Sequence, residues 1–338
     1  MMIITYNKLN DWLTALCNNH QMFGPTNTDS VVTYTPLSRP SDLVLNAKPT
    51  KSPKSIIFPQ TETLFTYSID RSVEISEPEL DGSQAVIFNI RPCDARGFLI
   101  LDLVFNDEYV DPYYVKARER FTLVGFSCTT PWQNCFCTSV NGSPGSTDGL
   151  DILLTDLGDR YLVEILSPKG KTLIDETLDL FSQATEEDWT AKKEVIELAT
   201  TKIKRYIDIT DIPQILGDMF DHEYWMQVSK KCLGCGICTY LCPTCHCFDM
   251  QDEIKRTEGR RARMWDSCMF CEYTKHTSGH NPRPARINRL RNRVFHKFKY
   301  YPDNFGEMLC VGCGRCIDSC PANVDIAEII AGVREVSA

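Results

Sequence analysis

Two cysteine runs near the end of the sequence constrain the fold more than any other feature. Each follows the pattern C-x2-C-x2-C-x3-C-P: the first run is CLGCGICTYLCP at residues 232–243, and the second run is CVGCGRCIDSCP at residues 310–321. In two-cluster ferredoxins this pattern holds two [4Fe–4S] clusters, and the fourth cysteine of each run ligates the cluster of the other run. The glycines between the cysteines let the backbone approach inorganic sulfide closely, and the proline turns the chain away.

The pattern divides the eight cysteines into two ligand sets. Cluster 1 is expected on Cys232, Cys235, Cys238 and Cys320, and cluster 2 on Cys310, Cys313, Cys316 and Cys242. Zinc also binds sets of four cysteines. Two matched runs, each with a terminal proline, favour iron–sulfur clusters over zinc.

Length and composition place the clusters in a protein of about two domains. The chain has 338 residues, a net charge of −9 and 17 cysteines. An odd number of cysteines, grouped at ligand spacing, argues against an extracellular disulfide framework. Residues 1–20 are polar and charged throughout, and no run of about 18 apolar residues occurs, so we expect neither a signal peptide nor a membrane span. We therefore predict a cytoplasmic protein, from an anaerobe because exposed clusters oxidise easily.

The positive charge is concentrated between the two runs. Residues 255–299 contain thirteen Lys and Arg but three Asp and Glu. A basic segment can bind nucleic acid, but the rest of this chain is acidic. We therefore interpret the segment as a means of raising cluster potentials and as a docking face for another protein of the complex. Arg315, inside the second run, is expected to act in the same way, so Arg315→Glu should lower the potential of cluster 2.

A third cysteine group is predicted in the first half of the chain. Two buried-strand patterns, at residues 85–90 and 121–126, are joined by a helical pattern at 95–105. In open α/β sheets, ligands bind at the carboxyl ends of the strands. The cysteines that follow these strands are Cys93, Cys128, Cys135 and Cys137. They favour a third [4Fe–4S] cluster. The alternatives are a [2Fe–2S] cluster, a zinc site or purely structural cysteines.

The remaining periodicity predicts an α+β fold, with an N-terminal α/β domain at residues 1–210 and a helical dicluster ferredoxin domain at 211–338. Apolar spacing predicts helices and a hairpin, β-rich segments predict strands, and the prolines indicate a surface loop. The predicted elements are helices at 3–18, 188–206 and 324–336, short helices at 208–230, strands at 31–34 and 56–58, a loop at 48–54 and a hairpin at 150–174.

Four more cysteines lie between the two runs. Cys245 and Cys247 follow the first run directly, and Cys268 and Cys271 come about twenty residues later. They could form a further metal centre, since Cys-rich pairs are typical metal ligands. The alternative is that they pack around the two clusters as small apolar side chains.

Several motifs together resemble the 4Fe-4S dicluster electron-transfer subunits, a family that includes an iron–sulfur subunit of anaerobic sulfite reductase and the beta subunits of sulfhydrogenases. The motifs are RPCD at 91–94, NCFC at 134–137, CPTCHCFD at 242–249, WDSCM at 265–269, GHNPR at 279–283 and the two runs. Cys271 departs from the family pattern.

The resemblance implies a conducting subunit without a substrate of its own. A partner with FAD and a [2Fe–2S] cluster would oxidise NAD(P)H. The electrons would pass singly to a terminal reductase or hydrogenase of the sulfite reductase, nickel–iron hydrogenase or heterodisulfide reductase type.

The alternative function is a catalytic reductase that binds flavin or nucleotide in residues 1–210. Neither a G-x-G-x-x-G motif after a strand nor a Walker loop is present, and these motifs are the usual signs of such a site. A flavin can bind without either motif, so this alternative stays open.

Overall fold

The structure is a computed structural model that describes residues 1–70, 72–78 and 82–337. The strands are β1 Met2–Thr5, β2 Gln21–Thr28, β3 Val31–Leu37, β4 Thr61–Ile69, β5 Val73–Ser76, β6 Ala85–Ile90, β7 Phe121–Phe126, β8 Ile152–Asp156, β9 Arg160–Ile165, β10 Ser182–Gln183, β11 Phe248–Lys255 and β12 Glu258–Trp265. The helices are α1 Tyr6–Asn19, α2 Lys54–Ile57, α3 Pro92–Phe105, α4 Pro112–Arg120, α5 Pro168–Asp175, α6 Glu186–Thr201, α7 Ile212–Asp218, α8 Tyr224–Ser229, α9 Ile237–Tyr240, α10 Arg286–Phe295, a π-helix His296–Tyr300, α11 Tyr301–Phe305, α12 Arg315–Asp318 and α13 Ile326–Ser337.

The larger sheet has eight strands in the order β10-β1-β9-β8-β7-β6-β2-β3. Its central strands β2, β6, β7 and β8 are parallel, and the outer pairs are antiparallel. Every residue of β6 and β7 is buried, as expected for strands covered on both faces. The two strands lie side by side, so their carboxyl ends deliver Cys93 and Cys128 to the same edge of the sheet, as the sequence predicts.

A smaller sheet joins the two halves of the chain. Its order is β11-β12-β4-β5, so strands from residues 248–265 pair with strands from residues 61–76. The sequence analysis did not predict the β11–β12 hairpin. β11 is almost wholly exposed, β12 is mostly half-buried, and both are rich in charged residues. Such strands lack the alternating apolar pattern by which strands are recognised.

The helices after residue 211 surround one apolar core. This core is built around Trp225, Leu290, Phe298 and Ile330, and it also takes up Phe136 from the first half of the chain. The α+β class is therefore confirmed: a sheet region comes first and a helical region with the two cysteine runs follows. No helix in the described part of the chain is both long and apolar enough to cross a bilayer.

Most predicted elements are present with shifted ends, but one segment is wrong. Residues 56–58 are not a strand, because α2 occupies Lys54–Ile57. A short apolar run fits a buried helix as well as a strand. Lys54 is not on a surface loop either, since it is 3% exposed. Residues 2–5 form β1 ahead of the first helix, and Thr185 caps α6, with Asp188 completing its capping box. The predicted hairpin ends at Ile165, because α5 occupies Pro168–Asp175.

A buried ion pair fastens the second run to the sheet. Arg315 is 2% exposed, and its guanidinium nitrogens lie 2.5 and 2.7 Å from the two carboxylate oxygens of Asp94. Its Nε also donates to the carbonyl of Pro49 at 2.9 Å. Glu at position 315 would bury two facing carboxylates, so that substitution would disrupt the junction and is a poor test of cluster potential.

Asp94→Asn should destabilise the folded chain strongly. The substitution leaves the Arg315 guanidinium buried without a counter-charge, and breaking such a pair costs about 3–5 kcal/mol. Thermal unfolding under anaerobic conditions measures the effect. Glu253→Gln is the matched control, because the Arg260–Glu253 pair is exposed and such pairs contribute about 0–1 kcal/mol. Equal stability losses in the two variants would contradict the assigned role of Asp94.

Candidate metal centres

The first run closes around a cavity together with the last cysteine of the second run. This first cavity is lined by the thiols predicted to bind cluster 1, which are Cys232, Cys235, Cys238 and Cys320. Met269, Leu290 and Val324 complete its apolar wall. The backbone N–H of Val324 also donates to the Cys320 sulfur at 3.2 Å. The arrangement of the chain thus fits the predicted exchange of a fourth cysteine between the runs.

A second cavity is built by the second run in the same way. It is lined by Cys310, Cys313 and Cys316 together with Cys242 from the first run. Three of these cysteines are buried, with exposures of 7–9%. The cysteines of the second cavity are therefore more deeply buried than those of the first, where Cys235 is exposed.

Three cations on α10 and on the π-helix that continues it lie along both cavities. Arg289, Arg293 and Lys297, here called the cation row, follow one another at intervals of four residues and are 7%, 4% and 2% exposed. Arg289 lies against Gly234 of the first run, and Arg293 lines both cavities. Lys297 Nζ is 3.3 Å from the Cys242 sulfur and donates to the carbonyl of Leu309 at 2.8 Å.

The cation row calls for an anionic occupant of the cavities. Among the described residues, none of the three cations forms an ion pair with a carboxylate, and Nε of Arg289 and Nε and Nη2 of Arg293 have no hydrogen-bond partner. Buried charges are ordinarily paired. Burial lowers the pKa of Lys297, but the neighbouring Cys242, Cys245 and Cys310 thiols outweigh it and raise that pKa overall. A cluster with four thiolates is negatively charged and fits this environment.

Single metal ions fit the described residues poorly. No set of three or more His, Cys, Asp or Glu side chains within residues 1–70, 72–78 and 82–337 is arranged to hold a metal ion. Zinc needs its ligands within about 2.0–2.3 Å of one point. Thiols that line a cavity, as in the two runs, suit a cluster of several metal atoms instead.

The N-terminal cysteine group also converges. Cys93, Cys128 and Cys135 line a common cleft with the cations Arg91 and Lys48. Cys137 is close to the same cysteines: its pKa is raised to about 12 by burial and then by the adjacent Cys135 and Cys128 thiols. The structure thus brings together all four residues predicted for a third cluster.

The N-terminal cysteine group touches the second run directly. The backbone N–H of Phe136 donates to the carbonyl of Gly312 at 2.8 Å, and the Cys135 thiol lies 3.7 Å from the carbonyl of Cys313. Gly312 has a φ of +64°, and a Cβ there would lie 2.5 Å from the backbone nitrogen of Cys137. The glycine therefore allows contact between two backbones that each carry predicted ligands.

Lys48 contacts both the N-terminal cysteine group and the second run. Its ammonium lies 3.8 Å from the Cys135 sulfur, donates to the carbonyl of Cys313 and lies 4.4 Å from the centroid of the Trp132 ring. Its carboxylate partner, Asp318, is 3.7 Å away in the second run. Neither Lys48 nor Lys297 was singled out from the sequence. The helical spacing of Arg289, Arg293 and Lys297 was the available signal for the cation row.

The cysteines between the runs separate into two environments. Cys245, Cys247 and Cys268, here called the hairpin cysteine group, lie together at the base of the β11–β12 hairpin and in contact with Cys242. Cys271 is exposed, and its thiol faces the carbonyl of Pro284 at 3.7 Å. The structure therefore separates Cys271 from the cysteines with which the sequence had grouped it.

Comparison with known proteins agrees with the geometry. Residues 231–324 match the family model of the 4Fe-4S dicluster domain. Over 317 residues the chain is 34% identical to the sulfhydrogenase 2 subunit beta of Pyrococcus furiosus, a match that covers 93% of this chain and 92% of that relative. No solved structure matches the chain.

Proposed function

Because the chain belongs to the family of 4Fe-4S dicluster electron-transfer subunits, we propose that it relays single electrons inside a cytoplasmic oxidoreductase complex. Its donor would be a subunit with FAD and a [2Fe–2S] cluster that oxidises NAD(P)H. The relative is by name a subunit of a sulfhydrogenase, which favours a hydrogenase as the terminal subunit over a sulfite reductase or a heterodisulfide reductase.

The proposed ligand sets are those assigned from the sequence. They are Cys232, Cys235, Cys238 and Cys320 for cluster 1, Cys310, Cys313, Cys316 and Cys242 for cluster 2, and Cys93, Cys128, Cys135 and Cys137 for a third [4Fe–4S] cluster. Such clusters exchange one electron at a time, at potentials set by net charge, hydrogen bonds to sulfur and exposure. The proposed domains remain 1–210 and 211–338, although the smaller sheet crosses that boundary.

One observation carries the proposal: the three predicted sites are contiguous. Arg293 lines both cavities of the dicluster part, and the Cys135–Cys137 segment packs on the second run. Because Arg293 lines both cavities, the two sites are about one side chain apart, and its positive charge can compensate the negative charge of both. Contiguous redox sites are what a relay requires, whereas a separate catalytic site would need its own substrate cleft.

The relay function is tested by the purified chain itself. Kept anaerobic and mixed with NADH or NADPH and a viologen dye, it should leave the dye oxidised, because it would bind no flavin. The same chain, reduced with dithionite and then freed of excess dithionite by anaerobic gel filtration, should reduce the dye promptly. A flavin absorbance band together with NAD(P)H-dependent dye reduction would instead support a reductase with its own active site.

Cys128→Ser should remove the third cluster and leave the other two. We expect roughly four fewer iron atoms per chain than in the parent protein, since one [4Fe–4S] cluster is lost. Iron and sulfide analysis measures the loss. Cys17→Ser is the matched control, because Cys17 is a half-buried thiol on α1 away from all three sites. Unchanged iron in Cys128→Ser would exclude Cys128 as a ligand of a third cluster.

Lys297→Met should lower the potential of the cluster bound by Cys242. The substitution removes a charged donor from the Cys242 sulfur; at about 1.5–3 kcal/mol for such a hydrogen bond, the shift is roughly 60–130 mV. Protein-film voltammetry reports it, with iron content measured in parallel. Lys299→Met is the control, since Lys299 is paired with Asp303 and lines neither cavity. Equal potentials in the parent and Lys297→Met would contradict the tuning role.

A further inference from the structure

The hairpin cysteine group is brought together by strand register rather than by sequence spacing. Phe248 pairs with Trp265 at the base of the β11–β12 hairpin, and the backbone N–H of Asp266 donates to the carbonyl of Cys247 at 3.0 Å. Cys268 follows two residues after Asp266, and Cys245 precedes Cys247 by two. The ladder therefore forces these three thiols to one end of the hairpin, although 20 residues separate Cys247 from Cys268.

The thiols form a continuous buried chain. The Cys247 thiol neighbours that of Cys268, and the Cys245 thiol neighbours that of Cys242 in the first run. Cys245 and Cys268 are 8% and 6% exposed, and the Tyr273 hydroxyl contacts Cys247. Three neighbouring thiols are more than the packing of single small apolar side chains explains.

Lys54 gives a second, independent indication of negative charge at this place. Its side chain is 3% exposed, its Nζ donates to the carbonyl of Cys245 at 2.7 Å, and it lies 3.8 Å from the centroid of the Trp265 ring. It forms no ion pair with a carboxylate of any described residue. A buried ammonium without a counter-charge is strongly unfavourable, and the adjacent groups able to carry one are the thiols.

We propose that Cys245, Cys247 and Cys268 hold a further iron–sulfur cluster, distinct from the two clusters of the runs and from the third cluster of the N-terminal cysteine group. Three thiolates can bind three irons, so the centre would be a [3Fe–4S] cluster or a [4Fe–4S] cluster whose fourth iron takes a non-protein ligand. Its negative charge would be compensated by Lys54.

Zinc fits this place less well than iron and sulfide. A structural zinc ion takes four ligands in a tetrahedron, and no set of three or more His, Cys, Asp or Glu side chains in the described part of the chain is arranged to hold a single ion. Cys242 lines the second cavity, and the ring of His246 packs against Phe105 and His296.

The proposed centre would adjoin both runs. Met269, next to Cys268, lines the first cavity, and Cys242 contacts Cys245 while lining the second. An additional one-electron site would therefore lie beside the relay. The relay function does not depend on it, so absence of this centre leaves the proposed function intact.

The proposal is tested with the variant Cys268→Ser. Cys271→Ser is the matched control, because the Cys271 thiol lies in the same loop but is exposed and outside the hairpin cysteine group. Iron, acid-labile sulfide and zinc are measured on the full anaerobic chain. We expect roughly three to four iron atoms fewer in Cys268→Ser, and no loss in Cys271→Ser. Electron paramagnetic resonance after mild oxidation distinguishes the two cluster types.

A second variant guards against misfolding. If Cys268→Ser loses all its iron together with its folded circular dichroism spectrum, Cys247→Ser, at a half-buried position, decides instead, with the same loss of roughly three to four irons expected. The proposal is overturned by unchanged iron in the folded variants, by the loss of one zinc ion in place of iron, or by a Cys247–Cys268 disulfide in the parent detected by mass spectrometry after alkylation.

Discussion

The structure depends on the compensation of buried charge around its cysteines. Arg289, Arg293 and Lys297 lie inside the protein without carboxylate partners among the described residues. Removing such groups from water costs several kcal/mol each unless an opposite charge is close. The buried positive charge of the folded chain is therefore balanced only when the cavities beside these cations hold negative charge. This links the stability of the helical region to its cofactors, as in other proteins whose metal centres contribute to folding.

The cations of residues 255–299 fall into a buried group and an exposed group, which the net charge does not distinguish. Four of the cations are buried: the cation row and Arg263, which is bound to Glu62 and Asp111. Others, such as Arg260 and Arg261, are paired on the exposed hairpin. The cation row lies beside both cavities, where its positive charge can raise the reduction potentials of the clusters proposed there. A docking role would rest on the exposed remainder and stays a prediction.

The two halves of the chain form a joint structure around the second run. The Arg315–Asp94 pair, the contact of Gly312 with Cys137 and the burial of Phe136 in the helical core all connect residues from the two sides of position 210. Each connection places a predicted ligand, or the residue next to one, at the junction. The sheet region therefore supports the geometry of the second cavity and is more than a neighbouring domain.

Local spacing in the sequence is enough to predict which cysteines of the two runs line each cavity, the strands that carry Cys93 and Cys128, and the α+β class. Closely spaced ligands and short buried strands leave regular patterns. The folded chain was needed to establish that residues 54–57 are helical, that Cys271 lies apart from Cys245, Cys247 and Cys268, and that Lys48, Lys54 and Lys297 reach the cysteines. A lysine in a sequence gives no sign of burial, because its burial depends on charges contributed by distant segments that become neighbours only when the chain folds.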